Sequence, residues 1–238
     1  MKTTSPFQAD LTGKVILITG ASQGLGAFYA ELLAKNNASV IVSGRAQSIE
    51  QINKVVQKIT SNGGKATPLI LELTEFDSFD NKIKDITRKL GHIDVLVNNA
   101  AVSIDKSVFD IIHEDWDLHM DANLKGLFFL SQAVAKHMKK QKNGGNIINI
   151  AAVNGEKVRK NCIVFGTSKA AVTHLTKAMA YELIDYNIRV NALLLGLFAS
   201  ENVAEWIKND PTSKNYLSKV PAKRAGKPSD LEGAAFGI

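Results

Sequence analysis

Near the start of the chain, Thr19-Gly20-Ala21-Ser22-Gln23-Gly24-Leu25-Gly26 places glycines, a hydroxyl and an amide directly after an apolar run. Glycine permits a tight turn and close backbone approach to an anion. A helix opening at that point offers unpaired N–H groups and partial positive charge. The chemistry expected of this spacing is a cradle for a dinucleotide pyrophosphate, the bland alternative being a structural turn. A second signal is Ser43-Gly44-Arg45. A site built for a free ribose 2′-hydroxyl usually carries a carboxylate here, whereas glycine followed by arginine suits a 2′-phosphate. NADP(H) is therefore expected in preference to NAD(H), the alternative for Arg45 being a solvated side chain.

These groups need strands and helices to hold them. The strands expected are Val15–Thr19, Ser39–Ser43, Thr67–Leu71, Ile93–Asn98, Asn146–Ala151 and Ile188–Leu194. Between them lie helical patterns at Leu25–Asn36, Ser48–Asn62, Phe76–Leu90, Glu114–Gln141 and Thr167–Tyr186. Continuous apolar strands alternating with helices predict an α/β protein with both sheet faces covered. The expected fold is a Rossmann-like, doubly wound, three-layer domain of parallel strands in the order 3-2-1-4-5-6. No repeat or linker divides the chain, so residues 1–238 read as one dinucleotide-binding domain.

Further motifs recur in order: Asn98-Asn99-Ala100, Asn123, Asn149-Ile150, Ser168-Lys169-Ala170-Ala171 and Ile188-Arg189-Val190-Asn191-Ala192. Together with the glycine-rich turn they resemble the short-chain dehydrogenase/reductase superfamily over nearly the whole chain. The nearest look is to sugar-acid dehydrogenases and 3-oxoacyl reductases. The resemblance implies a dinucleotide lying along Gly20, Ser22, Gln23, Gly24, Leu25, Gly26, Arg45, Glu72, Leu73, Asn99, Ala100, Lys169 and Gly196. It also implies a homodimer or homotetramer built through the two long helices, with Leu127, Leu130, Val134, Leu175, Met179 and Leu183 serving core or partner. The substrate class implied is a small carbonyl or alcohol.

The family's catalytic tetrad is Asn, Ser, Tyr and Lys. Here Asn123 matches the asparagine and Lys169 the lysine, but the serine position is Ala152 and the tyrosine position is Phe165. Phenylalanine has neither a proton to donate nor an oxygen to accept one. Tyr181 and Tyr186 are the nearest downstream tyrosines, and neither has lysine four residues later. Impaired oxidoreductase chemistry is expected, the alternative being a non-catalytic dinucleotide-binding pseudoenzyme that acts as a sensor or assembly partner. Natural divergence is favoured over deliberate replacement because other family positions change as well. Leu195-Gly196 stands where the family has Pro-Gly, Ala101 where it has glycine, and Glu72 where it more often has aspartate.

The remaining chemistry-bearing residues point to less. The five histidines include His113 and His119, expected in surface or capping roles, and no metal site is expected. Cys162, the single cysteine, is expected near the site mouth and fits a reducing compartment. Lys157, Arg159 and Lys160, with Lys223, Arg224 and Lys227, raise an anionic ligand as one reading and a solvated basic loop as the other. Lys136, Lys139, Lys140 and Lys142 complement a helix dipole. With 29 Lys+Arg, 23 Asp+Glu and a net charge of +6, nucleic acid is allowed, but no RNA module is visible and none is expected. No apolar run nears the roughly 20 residues that span a bilayer, and the polar Met1–Asp10 reads as no signal peptide. A cytoplasmic protein is expected. The last residues, Leu231 to Ile238, resemble the middle of the family's final helix, so a shortened C-terminus without the family's seventh strand is expected.

Overall fold

Val15–Ile18 (β1) has four apolar residues without alternation and all four are buried, because both faces of the strand meet helices. The computed structural model describes residues 9–141, 143–199 and 201–236; the expectations for the N-terminal residues before Ala9 and for Lys142 lie outside them. Each strand feeds a helix that returns the chain to the next parallel strand. The succession is α1 (Gly24–Lys35), β2 (Ser39–Gly44), α2 (Ile49–Ser61), β3 (Lys65–Ile70), α3 (Phe79–Leu90) and β4 (Val95–Asn98). Then come α4 (His113–Met120), α5 (Leu127–Gln141), β5 (Gly145–Ala152), α6 (Ile163–Leu183) and β6 (Ile188–Leu195). Three short helices follow, α7 (Glu201–Asn209), α8 (Thr212–Lys219) and α9 (Glu232–Phe236).

The six strands form one sheet in the order β3-β2-β1-β4-β5-β6, and every pairing is parallel. Side chains alternate between two cores. Leu17, Ile41, Leu96 and Ile147 face Phe79, Ile83, Leu130, Val134 and Met138. Ile16, Ile18, Val40, Val42 and Ile148 face Tyr29, Leu33, Ile52 and Ile59. Helices α2 and α3 are driven onto the sheet by apolar residues at helical spacing, Ile52, Val55 and Ile59 in one and Phe79, Ile83 and Ile86 in the other. Pro68 sits in β3, an edge strand, where the missing N–H is tolerated. Leu130, Val134 and Met179 are buried in the first of these cores with Leu175 and Leu183 packed against it, and Leu127 is buried with Ala151 and Val172, so that apolar stripe serves the interior. No helix among the described residues is long and apolar enough to cross a membrane.

The structure departs from the expected elements in three places. The single helix expected over Glu114–Gln141 is interrupted by a π-helical stretch, Asp121–Gly126. The extra residue per turn is a local widening that hydrophobic periodicity does not encode, and such stretches concentrate at functional sites. Helix α6 starts at Ile163, four residues before the expected Thr167, which brings Phe165 into its first turn. Helices α7 and α8 form where no element was expected. They are short and polar, and are held by Trp206 edge-on to Tyr216 with ring centroids 5.7 Å apart.

Buried asparagines also cross-link the layers. Asn98 Nδ2 donates to Ser131 Oγ on α5 and to Asn149 Oδ1 on β5, each at 2.8 Å, and Asn149 Nδ2 donates to Thr176 Oγ1 on α6 at 2.9 Å. Gly126 closes the π-helical stretch directly against the chain after β3, where a methyl group would lie 2.2 Å from the Leu73 carbonyl oxygen. Gly126→Ala is expected to destabilise the fold by about 1–3 kcal/mol through overpacking. The check is a lower urea midpoint at unchanged m-value.

Candidate active site

The sheet reverses its winding between β1 and β4, and it is outside the C-terminal ends of the strands at such a switch point that doubly wound sheets offer a ligand crevice. On the β1 side the chain turns through Gly20, at φ +63°, and Gly24, at φ +57°, before entering α1. Gln23, at the helix N-cap, makes no side-chain cap bond, and the first turn holds no acidic residue. A methyl group on Gly24 would meet nothing within 4 Å, whereas one on Gly26 would lie 2.3 Å from the Gly20 carbonyl oxygen. The turn is therefore crowded on its protein side and open on its solvent side, with helix N–H groups directed outward. That donor set fits a pyrophosphate.

Asn99 and Ala100 hold this turn from the β4 side. Asn99 Nδ2 donates to the Thr19 and Gly20 carbonyl oxygens at 2.9 and 3.2 Å. Thr19 Oγ1 accepts the backbone N–H of Asn99 and of Ala100, both at 3.0 Å. Across β2, Ser43 Oγ donates to the Ile18 carbonyl at 2.9 Å, and a methyl group on Gly44 would lie 3.7 Å from Ser22 Cβ. Arg45, exposed, follows directly, so Ser22 and Arg45 flank one corner of the crevice. Glu72 and Leu73 follow β3, and Gly196 follows β6. The residues expected to hold a dinucleotide thus gather at the C-terminal ends of the strands.

The other end of the crevice holds Asn123, Ala152, Phe165 and Lys169. Asn123 lies in the π-helical stretch, fully buried. Its Oδ1 accepts the Val102 N–H at 2.7 Å, and its Nδ2 donates to the Val102 carbonyl and to Ser168 Oγ, at 2.9 and 3.1 Å. Ser168 Oγ in turn donates to the Phe165 carbonyl at 2.8 Å. Composition and spacing did not flag Ser168 as a partner of Asn123; its place beside Lys169 was the one available signal. Ala152 ends β5 and is half-buried, offering no polar group.

Lys169 is 3% exposed, and its Nζ donates to the Ile150 carbonyl at 2.6 Å. The ammonium also lies 5.7 Å from the centroid of the Phe165 ring, one helical turn earlier. No carboxylate accompanies it among the described ion pairs. Desolvation alone pushes the amine down to about 8 from the ordinary 10.5.

Expectations at the mouth change. Arg159 forms a two-pronged pair with Asp105, at 2.7 and 2.8 Å, and the Arg224 guanidinium pairs with Asp230 at 2.6 Å. Both arginines are already neutralised by carboxylates, which sequence spacing does not reveal. Lys157 and Lys160 are exposed. Cys162 is buried, and its Sγ accepts a bond from Asn154 Nδ2 at 3.2 Å. His119 is not at the surface: it is 1% exposed, its Nε2 accepts the Ile104 N–H at 3.0 Å and its Nδ1 donates to the Asp115 carbonyl at 2.6 Å. No group of three or more His, Cys, Asp or Glu side chains able to hold a metal occurs among the described residues.

Burial of Lys169 has a consequence for stability. Below pH 8 the amine is charged in both folded and unfolded chains, and desolvation costs the fold about 3 kcal/mol. Between pH 8 and 10.5 the unfolded chain binds the extra proton, so this penalty is relieved as pH rises. Tyr29, pushed up to about 12 by burial, acts in the opposite direction above pH 10. The stability difference between the protein and its Lys169→Met variant is therefore expected to shrink from pH 8 to 10. Urea unfolding of both at each pH checks this.

The short chain dehydrogenase family profile matches residues 14–211. Among curated proteins, a 3-oxoacyl-[acyl-carrier-protein] reductase of Thermotoga maritima is 36% identical over 221 residues, covering 93% of this chain and 88% of that one. A gluconate 5-dehydrogenase of Gluconobacter oxydans is 32% identical over 230 residues, covering 97% and 89%. Among solved structures, a gluconate 5-dehydrogenase of Burkholderia cenocepacia in complex with NADP and tartrate superimposes with a TM-score of 0.88 at 31% identity, covering 97% of this chain and 89% of that one. With the family profile over most of its length and relatives above 30% identity, the chain belongs to the short chain dehydrogenase family.

Proposed function

We propose that the protein binds NADP(H) in the crevice between β1 and β4, and that its oxidoreductase chemistry on carbonyl or alcohol ligands is impaired. The observation that carries this reading is the pairing of an open, uncapped helix N-terminus at one end of the crevice with a phenyl ring over Lys169 at the other. The turn from Gly20 to Gly26 receives the pyrophosphate, and Arg45 with Ser22 receives a 2′-phosphate. Lys169 donates to the nicotinamide ribose and Asn123 holds the neighbouring backbone. When bound, the nicotinamide supplies or takes up hydride. The chain then has to manage a proton at the ligand oxygen, and here Phe165 and Ala152 present no O–H group to it.

That deficit is large. A positioned general acid is worth about 10²–10⁴ in rate, and one lost oxyanion donor about 10²–10³, the two not multiplying independently. The second reading, a dinucleotide-binding pseudoenzyme that acts as a sensor or assembly partner, is favoured by the same two side chains. The ligand we propose is small, with an anionic group received by Lys157 and Lys160, since Arg159 is already paired. The relatives named for gluconate are consistent with such a ligand. A homo-oligomer is proposed through the outer faces of α5 and α6, where Phe129 and Tyr181 are exposed, as is Tyr186 in the turn after α6. Sedimentation at working concentration checks it, and a monomer is the contrary result.

NADPH is expected to bind at least about ten-fold more tightly than NADH, an advantage lost in Arg45→Ala. Titration of dinucleotide fluorescence measures both constants, and tighter NADH binding would falsify the preference. The Phe165→Tyr/Ala152→Ser double variant is expected to raise turnover on a carbonyl panel by about 10²-fold or more over the parent. Ordinary enzyme rates in the unmodified protein would overturn the impaired-site reading.

A further inference from the structure

Resting on that reading, in which the crevice admits a carbonyl compound, we propose that Lys169 is an amine nucleophile that captures an aldehyde or ketone as an imine. The geometry singles it out. Its side chain is almost wholly buried, it lacks a carboxylate partner among the described ion pairs, and its one polar contact shown is a neutral strand carbonyl, Ile150 O. The ring it faces is the phenyl of Phe165, and Ala152, two residues along β5 from Ile150, carries no polar group. Both are half-buried, so each reaches the surface in part. A phenol at position 165 would offer the ammonium an oxygen. A phenyl ring offers only its π face, which holds a cation more weakly than an oxygen partner would.

One way enzymes make a lysine nucleophilic is to set it in an apolar pocket, where burial favours the uncharged amine. The low affinity of this amine for its proton, about 8 against 10.5, is in line with that setting. The step balances without an outside oxidant or reductant. The nitrogen lone pair adds to the carbonyl carbon while the C=O π pair moves to oxygen. The nitrogen proton is transferred to that oxygen and water leaves, so that R₂C=O and H₂N–Lys169 become R₂C=N–Lys169 and H₂O. No O–H donor at positions 152 or 165 is needed to begin it, and bulk water serves the proton transfers. Imine formation and a bound dinucleotide would compete for the same side-chain nitrogen.

The test uses the full chain, benzaldehyde as the carbonyl probe and cyanoborohydride to trap the imine, with peptide mass mapping to locate the label. Lys169 is expected to be labelled at least about ten-fold faster than the surface lysines at pH 8, where about half of its amine is neutral against well under 1% for an ordinary lysine. Its rate should level off above pH 8 while that of surface lysines keeps rising. NADPH should suppress the labelling, and Lys169→Arg should remove that label alone. Phe165→Tyr should slow it by restoring an oxygen partner. Labelling of Lys169 no faster than that of surface lysines, or with their pH profile, overturns the proposal. NADPH binding, measured on the same preparation by fluorescence, separates the outcomes. Binding without selective labelling removes only the nucleophile, whereas selective labelling that proceeds without any dinucleotide binding removes the cofactor reading and leaves the amine reactive.

Discussion

The crossing of the β1 turn and the chain leaving β4 is the contact on which the site depends. Asn99 spends its carboxamide on the Thr19 and Gly20 carbonyls, and Thr19 returns its hydroxyl oxygen to two N–H groups of the β4 loop. The approach is too close for a side chain: a methyl on Gly20 would fall 2.9 Å from the Ala100 Cα. Helix α1 is pressed onto the same point through Gly26. Three backbones therefore meet with almost no intervening side-chain volume, and the N–H groups that begin α1 are left pointing to the open side. Any ligand held there is held by a rigid object, because moving one of the three segments breaks the hydrogen bonds of the other two.

A second knot fixes the reactive end. The π-helical stretch swings Asn123 onto Val102 and Ser168 at once, joining the β4 loop to α6. Ser168 also bonds the Phe165 carbonyl, so the first turn of α6 is pinned one residue before Lys169. The lysine reaches across to β5 at Ile150. The contacts that position the ammonium are thus complete within the chain, while Phe165 and Ala152 are apolar. Buried polar networks of this kind hold one geometry because each unmade bond is costly in a low-dielectric interior.

Much of this is legible in the sequence. The six strands lie within two residues of their expected positions, because runs such as Val15–Ile18 and the Val95-Leu96-Val97 stretch of Val95–Asn98 are continuously apolar. That the strands are parallel follows from the alternation of strand and helix, and the tight turn after β1 from three glycines at one spacing. What escaped were features carried by single long-range contacts. His119 looks like a surface residue by its helical neighbours but is buried against the Ile104 N–H. Arg159 looks like a free cation but meets Asp105, 54 residues away in sequence. The amphipathic pattern of α4 and α5 runs through Asp121–Gly126 without registering the π-helical widening.

The sequence by itself determined the fold class, the glycine-rich turn after β1 and the identity of the side chains at positions 152, 165 and 169. Those follow from local hydrophobic periodicity, from glycine's backbone freedom and from covalent structure. Only the tertiary structure decided which cations remain free, how deeply Lys169 is buried and what it touches. Burial and pairing are properties of residues far apart in the chain that come within a few ångströms, and no local pattern records them. The charge state of Lys169 is the sharpest instance: lysine is ordinarily a cation, and it is the low-dielectric surroundings assembled by β5 and α6 that weaken its hold on the proton.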